Sequence, residues 1–260
     1  MNDVTVIIAT SPIPSHPDTR IIDETIASIR THLPDSDIIL QFDGVHPKQE
    51  KFTEQYNEYK HKMLWRCLHE YKNVLPLVFK DHEHQSGMMH KTLPEIKTPL
   101  LLYVEGDAPL TPDRKIDWQA CVNFINDGHA NTIRFHFEEI IPTEHESMML
   151  GNPKDGFLKT YQWSQRPHLS SKVYYEELMK FFPRDAQTFI EDEWHGVVIG
   201  DWIDKGMHGW FKHRLWIYHK PDSLGIKRSY TTDGRQGEPK YGEGIQKGNK
   251  NAPRTNRGKQ

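Results

Sequence analysis

Residues 100–107 read LLLYVEGD: five apolar side chains in a row, Leu100 to Val104, and then Glu105, Gly106 and Asp107. A short apolar run without polar alternation suits a strand buried on both faces, as in a parallel sheet. Parallel neighbours need long crossovers, usually helices, so this one stretch already points to an α/β chain. In such sheets ligands gather at the carboxyl ends of the strands, where the two acids stand. Gly106 has no β-carbon, so backbone or ligand can approach closely there. Carboxylates at 105 and 107 can face a hard divalent cation, Mg²⁺ or Mn²⁺, which in turn takes phosphate oxygens. The plain alternative is a strand that closes in a polar turn.

Other segments fall into place around this strand. VTVIIAT, 4–10, is a second buried strand, ended by Thr10, Ser11 and Pro12. Ile21, Ile22, Ile26 and Ile29 form a helical stripe after Asp18 and Thr19, the two candidate N-caps. DIILQFDG, 37–44, is a third strand closing in Asp43 and Gly44, so the first ~45 residues form a βαβ unit. A polar helix is expected over 48–71, and an edge strand over 73–80 because Pro76 interrupts it. Gly87, His90 and Lys91 belong to a short helix. Thr111-Pro112-Asp113 reads as the start of a helix with Ile116, Trp118, Cys121, Val122 and Ile125 on its apolar side. A strand with one wetter face is expected over 131–140, and a strand and loop over 158–172. A helix follows over 173–182, an acidic start and amphipathic helix over 189–206, and a late strand over 210–220.

From Gly225 onward large apolar residues nearly vanish, and nine Lys and Arg stand against three acids. That segment, 225–260, is expected to be a flexible basic tail, with 228–235 either a lid or a linker. The body is different. The chain carries a net charge of −3, so it is no polycation. No apolar run approaches the ~20 residues of a membrane helix, so no membrane insertion is expected. The start, MNDVTVII, lacks a basic leader, and Cys67 and Cys121 are the only cysteines. Both point to a reducing, cytoplasmic setting, host cytoplasm if the protein is viral.

In this order the pieces resemble the GT-A glycosyltransferases, in particular the inverting family-two-like members. VTVIIATS resembles the first strand and base-holding loop, QFDG the second strand with its base-contacting Asp, LLLYVEGD the Asp-x-Asp strand, and IEDEWHG the later acidic motif. The match runs over about residues 4 to 220. It implies an α/β fold with a mixed, mainly parallel central sheet flanked by helices. Residues 1–224 would be the transferase domain, 1–110 holding the nucleotide sugar and 111–224 the acceptor. The resemblance implies donor contacts from Thr10, Ser11, Asp43, Lys91, Glu105 and Asp107. A metal would sit on Asp107, Glu105 and the late His219. This sequence departs from the motif at Glu105, where the family has Asp. Asp192, then Glu191, is expected as the base that deprotonates the acceptor hydroxyl. Trp194 and Arg166 are expected on the acceptor side. DHEHQ, with His82 and His84, is a rival cluster and reads as a solvated loop.

The expected activity is metal-dependent transfer of a hexosyl or pentosyl group from a UDP-sugar, with Mn²⁺ or Mg²⁺, to an acceptor hydroxyl with inversion. For the acceptor, the basic tail suggests a polyanion. The favoured choice is double-stranded bacteriophage DNA carrying hydroxymethylated bases; a polysaccharide or lipid-linked sugar is the competitor. A nucleotidyltransferase would show a Gly-rich loop after the first strand, and ATSPIPSH has no Gly. A non-catalytic nucleic-acid binder would carry its cations across the body rather than in the tail.

Overall fold

The computed structural model describes residues 3–137, 141, 143–220 and 230–232. Nine strands form one sheet in the order β3-β2-β1-β4-β8-β5-β9-β7-β6. They are β1 (Val4–Thr10), β2 (Ile38–Phe42), β3 (Val74–Val78), β4 (Leu100–Glu105), β5 (Thr132–Phe135), β6 (Met149–Lys154), β7 (Phe157–Thr160), β8 (His168–Ser171) and β9 (Leu215–Tyr218). The helices are α1 (Arg20–His32), α2 (Thr53–His69), α3 (His84–Thr92), α4 (Trp118–Asn126), α5 (Thr143–Glu146), α6 (Lys172–Met179), α7 (Ile190–Lys205) and α8 (Met207–His213). Strands β1 to β4 are parallel, as expected, with β3 and its Pro76 at the edge. Strand β8 runs antiparallel between β4 and β5, and β5 pairs parallel with β9. The carboxyl ends of β1, β2, β4, β5 and β9 therefore share one edge of the sheet.

Strand periodicity divides the core in two. Leu100, Leu102 and Val104 face one way, into the layer that also takes Ile22, Ile26 and Ile29 of α1, Tyr56, Tyr59 and Met63 of α2, and Cys121 and Val122 of α4. Leu101 and Tyr103 face the other way, onto Met89 of α3, Tyr175 and Leu178 of α6, and Ile190, Trp194 and Val198 of α7. Glu105 shares the parity of Leu101 and Tyr103. It therefore emerges on the side of α3 and α7, and that parity decides which groups it meets.

Three expectations are corrected. The helix expected from Thr111 begins only at Trp118, capped by Asp117, whose side chain accepts from Ala120 N–H at 3.1 Å. Upstream, Leu110 bridges to Thr231, and Thr111 N–H donates to the Tyr230 carbonyl, which holds that stretch out of a helix. The strand expected over 210–220 is half helix: α8 ends at His213, Arg214 turns left-handed at φ 46°, and only then does β9 start. The wetter face expected on 131–140 is absent from β5, where all four residues are buried between β8 and β9. The expected tail, 225–260, and lid, 228–235, lie outside the described residues except for 230–232. There Tyr230 is 1% exposed and packs on Tyr218, so this part belongs to the folded body.

Candidate active site

At the shared edge a cleft of about 730 Å³ opens. Its floor is Ala9, Thr10 and Ser11 from the end of β1, Asp43 after β2, and Glu105 and Asp107 after β4. Five of the expected donor residues are thus brought together. Gln85 and Met88 of α3 line one wall, and Gln187 and Phe189 ahead of α7 line another.

Gly106 has the close approach expected of it, and the approaching group is backbone. Its N–H donates to the Ala9 carbonyl at 2.8 Å, and its own carbonyl accepts from Thr25 Oγ1 at 2.8 Å. A β-carbon there would lie 3.0 Å from both the Ala9 carbonyl oxygen and Thr10 Cγ2. The acidic turn is therefore wedged against the end of β1.

Glu105 is a crowded carboxylate. Burial, then Asp107, then Glu191 push it up to about 7, while Arg166 and a hydrogen bond from Gln85 pull the other way. That bond, Gln85 Nε2 to Glu105 Oε1, is 3.2 Å, and Gln85 Oε1 accepts from Ile190 N–H at 3.3 Å. Gln85 thus ties the acidic strand end to the start of α7. From the first turn of α7 Glu191 enters the same field. Its Oε2 accepts from Gln165 N–H at 2.8 Å, which fixes the side chain.

Asp43 is spent on the protein itself. Its carboxylate accepts from Gly44 N–H at 2.8 Å, Glu83 N–H at 2.7 Å and His84 N–H at 3.2 Å. His82 Nδ1 stands 2.8 Å from its Oδ2. It caps α3 from a neighbouring strand and pins the 81–84 turn against Gly44, where a β-carbon would lie 2.2 Å from the Asp81 backbone. Thr10 donates its hydroxyl to the Gln41 carbonyl at 2.7 Å.

Four expected residues behave otherwise. Lys91 pairs with Glu83 and is not among the lining residues. Trp194 is 6% exposed, buried by the Ile190–Trp194–Val198 stripe of α7, and its indole N–H reaches Tyr174 Oη at 3.3 Å; it is core, not a sugar platform. Asp192, one residue round the helix from Glu191, is exposed. His219 follows β9, three strands from β4, about 14 Å by ordinary strand spacing, with its N–H on the Gly156 carbonyl. The trio Asp107, Glu105 and His219 is not assembled, and among the described residues no three His, Cys, Asp or Glu side chains converge on a metal position. Arg166 is exposed, lies over the Phe137 ring at 4.4 Å, and is near enough to Glu105 to lower its pKa.

The cluster read as a solvated loop is instead a cleft wall. His82 and His84 line it together with His46, which sequence reasoning missed. The only signal was the density of histidine after two strand ends.

The donor set suits a hard cation held in part by the protein. Two carboxylate residues supply oxygens, and Mg²⁺ or Mn²⁺ commonly completes its shell with phosphate oxygens and water. Glu105 and Asp107 are the residues that would hold it.

No protein-family model matches this sequence, and neither does any curated protein. Solved structures do match in fold. The mannosyltransferase PcManGT from Pyrobaculum calidifontis, in complex with GDP-Man and Mn²⁺, superposes with a TM-score of 0.52 at 13% identity, over 92% of this chain and 58% of that one. S. aureus TarS 1–349 in complex with UDP gives 0.51 at 11% identity, over 89% and 60%. A longer TarS gives 0.50 at 10% identity, over 90% of this chain and 36% of that one. This chain therefore spans between about a third and three fifths of those proteins. The likeness shows the fold: a GT-A architecture with a large, mainly parallel sheet flanked by helices.

Proposed function

We propose that this protein is a glycosyltransferase that moves a sugar from a nucleoside diphosphate to an acceptor hydroxyl with inversion. The observation that carries the reading is the cleft itself. Glu105 and Asp107 line it at the carboxyl end of β4, and Glu191, anchored by Gln165 N–H, is near enough to Glu105 to raise its pKa. The complexes of PcManGT with GDP-Man and Mn²⁺ and of TarS with UDP support the same use of a shared fold.

Thr10, Ser11 and the acidic turn bind and orient the donor diphosphate. A divalent cation, when bound there, supplies Lewis-acid neutralisation of the charge on the leaving group. Glu191 takes the proton of the acceptor hydroxyl as its oxygen attacks the anomeric carbon. Gln165 N–H holds the other carboxylate oxygen and keeps the base in line. Asp192 points to solvent, so the first choice of base passes to Glu191. Arg166, exposed beside the acids, is the cation for the diphosphate or the acceptor.

The cleft is lined mainly from 1–110, with Gln187 and Phe189 from 111–224; on this reading the first stretch holds the donor and the second the acceptor. A DNA acceptor with hydroxymethylated bases rests on the basic segment 225–260, and a polysaccharide or lipid-linked sugar competes with it. No helix among the described residues is long and apolar enough to cross a membrane.

The test is thermal stability with UDP, GDP and nucleoside triphosphates, each with and without Mn²⁺, followed by transfer to hydroxymethylcytosine DNA, unmodified DNA and oligosaccharides. Manganese-dependent stabilisation by a nucleoside diphosphate is expected. Stabilisation by triphosphates alone would sink the transferase reading. No sugar incorporation into hydroxymethylated DNA would end the DNA acceptor.

A further inference from the structure

Gln85, the second residue of α3, reaches both sides of the cleft. Its Nε2 donates to Glu105 Oε1 at 3.2 Å, and its Oε1 accepts from Ile190 N–H at 3.3 Å. The partners fix which way the amide points. A backbone N–H can only donate, so the oxygen faces Ile190 and the NH₂ group is left for the carboxylate. Ile190 is the first residue of α7, and Phe189 before it supplies no side-chain cap. Gln85 therefore caps α7 from another helix and satisfies an N–H that α7 cannot satisfy itself.

The stretch leading into α7 is stitched to the start of α3 at several more points. Ser86, fully buried, donates its hydroxyl to the Ala186 carbonyl at 2.7 Å and accepts from Thr188 N–H at 3.1 Å. Ser86 N–H donates to the Thr188 carbonyl at 3.3 Å, and Gln187 Nε2 to the His82 carbonyl at 2.6 Å. The start of α3 is anchored in turn, because Asp43 accepts from Glu83 N–H and His84 N–H. A run of bonds thus leads from the end of β2 through α3 to the residue before Glu191.

We propose that Gln85 is a positioning residue for the general base: by holding Glu105 and the first N–H of α7 on one amide, it sets where Glu191 stands relative to the acids that follow β4. The inference rests on the glycosyltransferase reading and adds a residue that acts through its base. Glu191 is then held twice, its carboxylate by Gln165 N–H at 2.8 Å and its backbone, one peptide along, by Gln85. The Gln165 bond ends on the carboxylate and leaves the helix start free to shift. A misplacement of about 1 Å costs on the order of 10²-fold in rate. Gln85 also lines the cleft, so the rival role is direct contact with the donor, and the two roles move different constants.

Gln85→Met keeps the length of the side chain and removes both bonds. Initial rates are measured on the full chain with Mn²⁺, with UDP-GlcNAc or GDP-mannose as donor and hydroxymethylcytosine DNA or oligosaccharide as acceptor. The variant is expected to lose about 10–100-fold in kcat while the donor KM stays within about threefold. In a Glu191→Gln background the same substitution should cost less than about twofold, because a residue that acts through the base then has nothing to act on. Gln85→Asn, too short to reach both partners, should repeat the pattern and serves if Gln85→Met does not fold. A loss that multiplies in full onto Glu191→Gln, a raised donor KM with kcat kept, or an unchanged kcat would each overturn the role and leave glycosyl transfer standing. Turnover of neither donor by wild type would remove the transferase reading and this role with it.

Discussion

A rotation of about 100° per residue separates the three acids at the start of α7. Glu191, Asp192 and Glu193 are consecutive, and only the first reaches the field of Glu105. Glu191→Gln should therefore lower kcat by roughly 10²–10⁴-fold, and Asp192→Asn should stay within about twofold, read from initial rates of sugar transfer. Glu105 gives a second prediction with a definite sign. Its folded-state pKa is raised to about 7 from 4.5, so between those values the folded chain holds a proton that the unfolded chain has released. Its contribution is fully favourable below about pH 4.5 and is lost as pH rises through about 7, a loss on the order of 3 kcal/mol. Urea melts at pH 5 and pH 8 should show it, Glu105→Gln should flatten it, and Mn²⁺ should stabilise more at pH 8 than at pH 5.

At the scale of elements, the 81–84 turn is built by strand β2. Asp43 supplies the acceptors and Gly44 the room. Gly44→Ala would set a β-carbon 2.2 Å from backbone, which no rotamer change relieves. It should cost about 1–3 kcal/mol, measured by urea unfolding. Asp43→Asn should cost about 1.5–3 kcal/mol by weakening charge-assisted bonds, whereas an exposed ligand contact would leave stability unchanged. The sequence disclosed this element only in part. QFDG marked the strand end, but the turn that uses it lies some forty residues downstream, in a stretch that locally resembles solvated loop.

For the whole molecule, the short segment at Tyr230 closes the sheet's far side onto its near side. Tyr230 N–H donates to the His136 carbonyl, Tyr230 Oη to the Lys220 carbonyl, and Thr231 bridges to Leu110. Tyr230→Ala should cost about 3–5 kcal/mol, and truncation after Lys220 at least as much; thermal unfolding of the two variants beside the full chain checks this. Composition could not have flagged Tyr230, because a single buried ring in a polar stretch leaves the average unchanged.

The sequence by itself determined the α/β class, the four parallel strands and the acids at their ends, because unbroken apolar runs and abrupt polar stops are local and fall along one strand. Tertiary structure alone decided that Trp194 is core, that Lys91 is paired with Glu83, that His219 stands three strands from Asp107, and that His46 joins His82 and His84. Those outcomes depend on strand order and on helix rotation, and both are set by how distant segments pack, which no window along the chain contains.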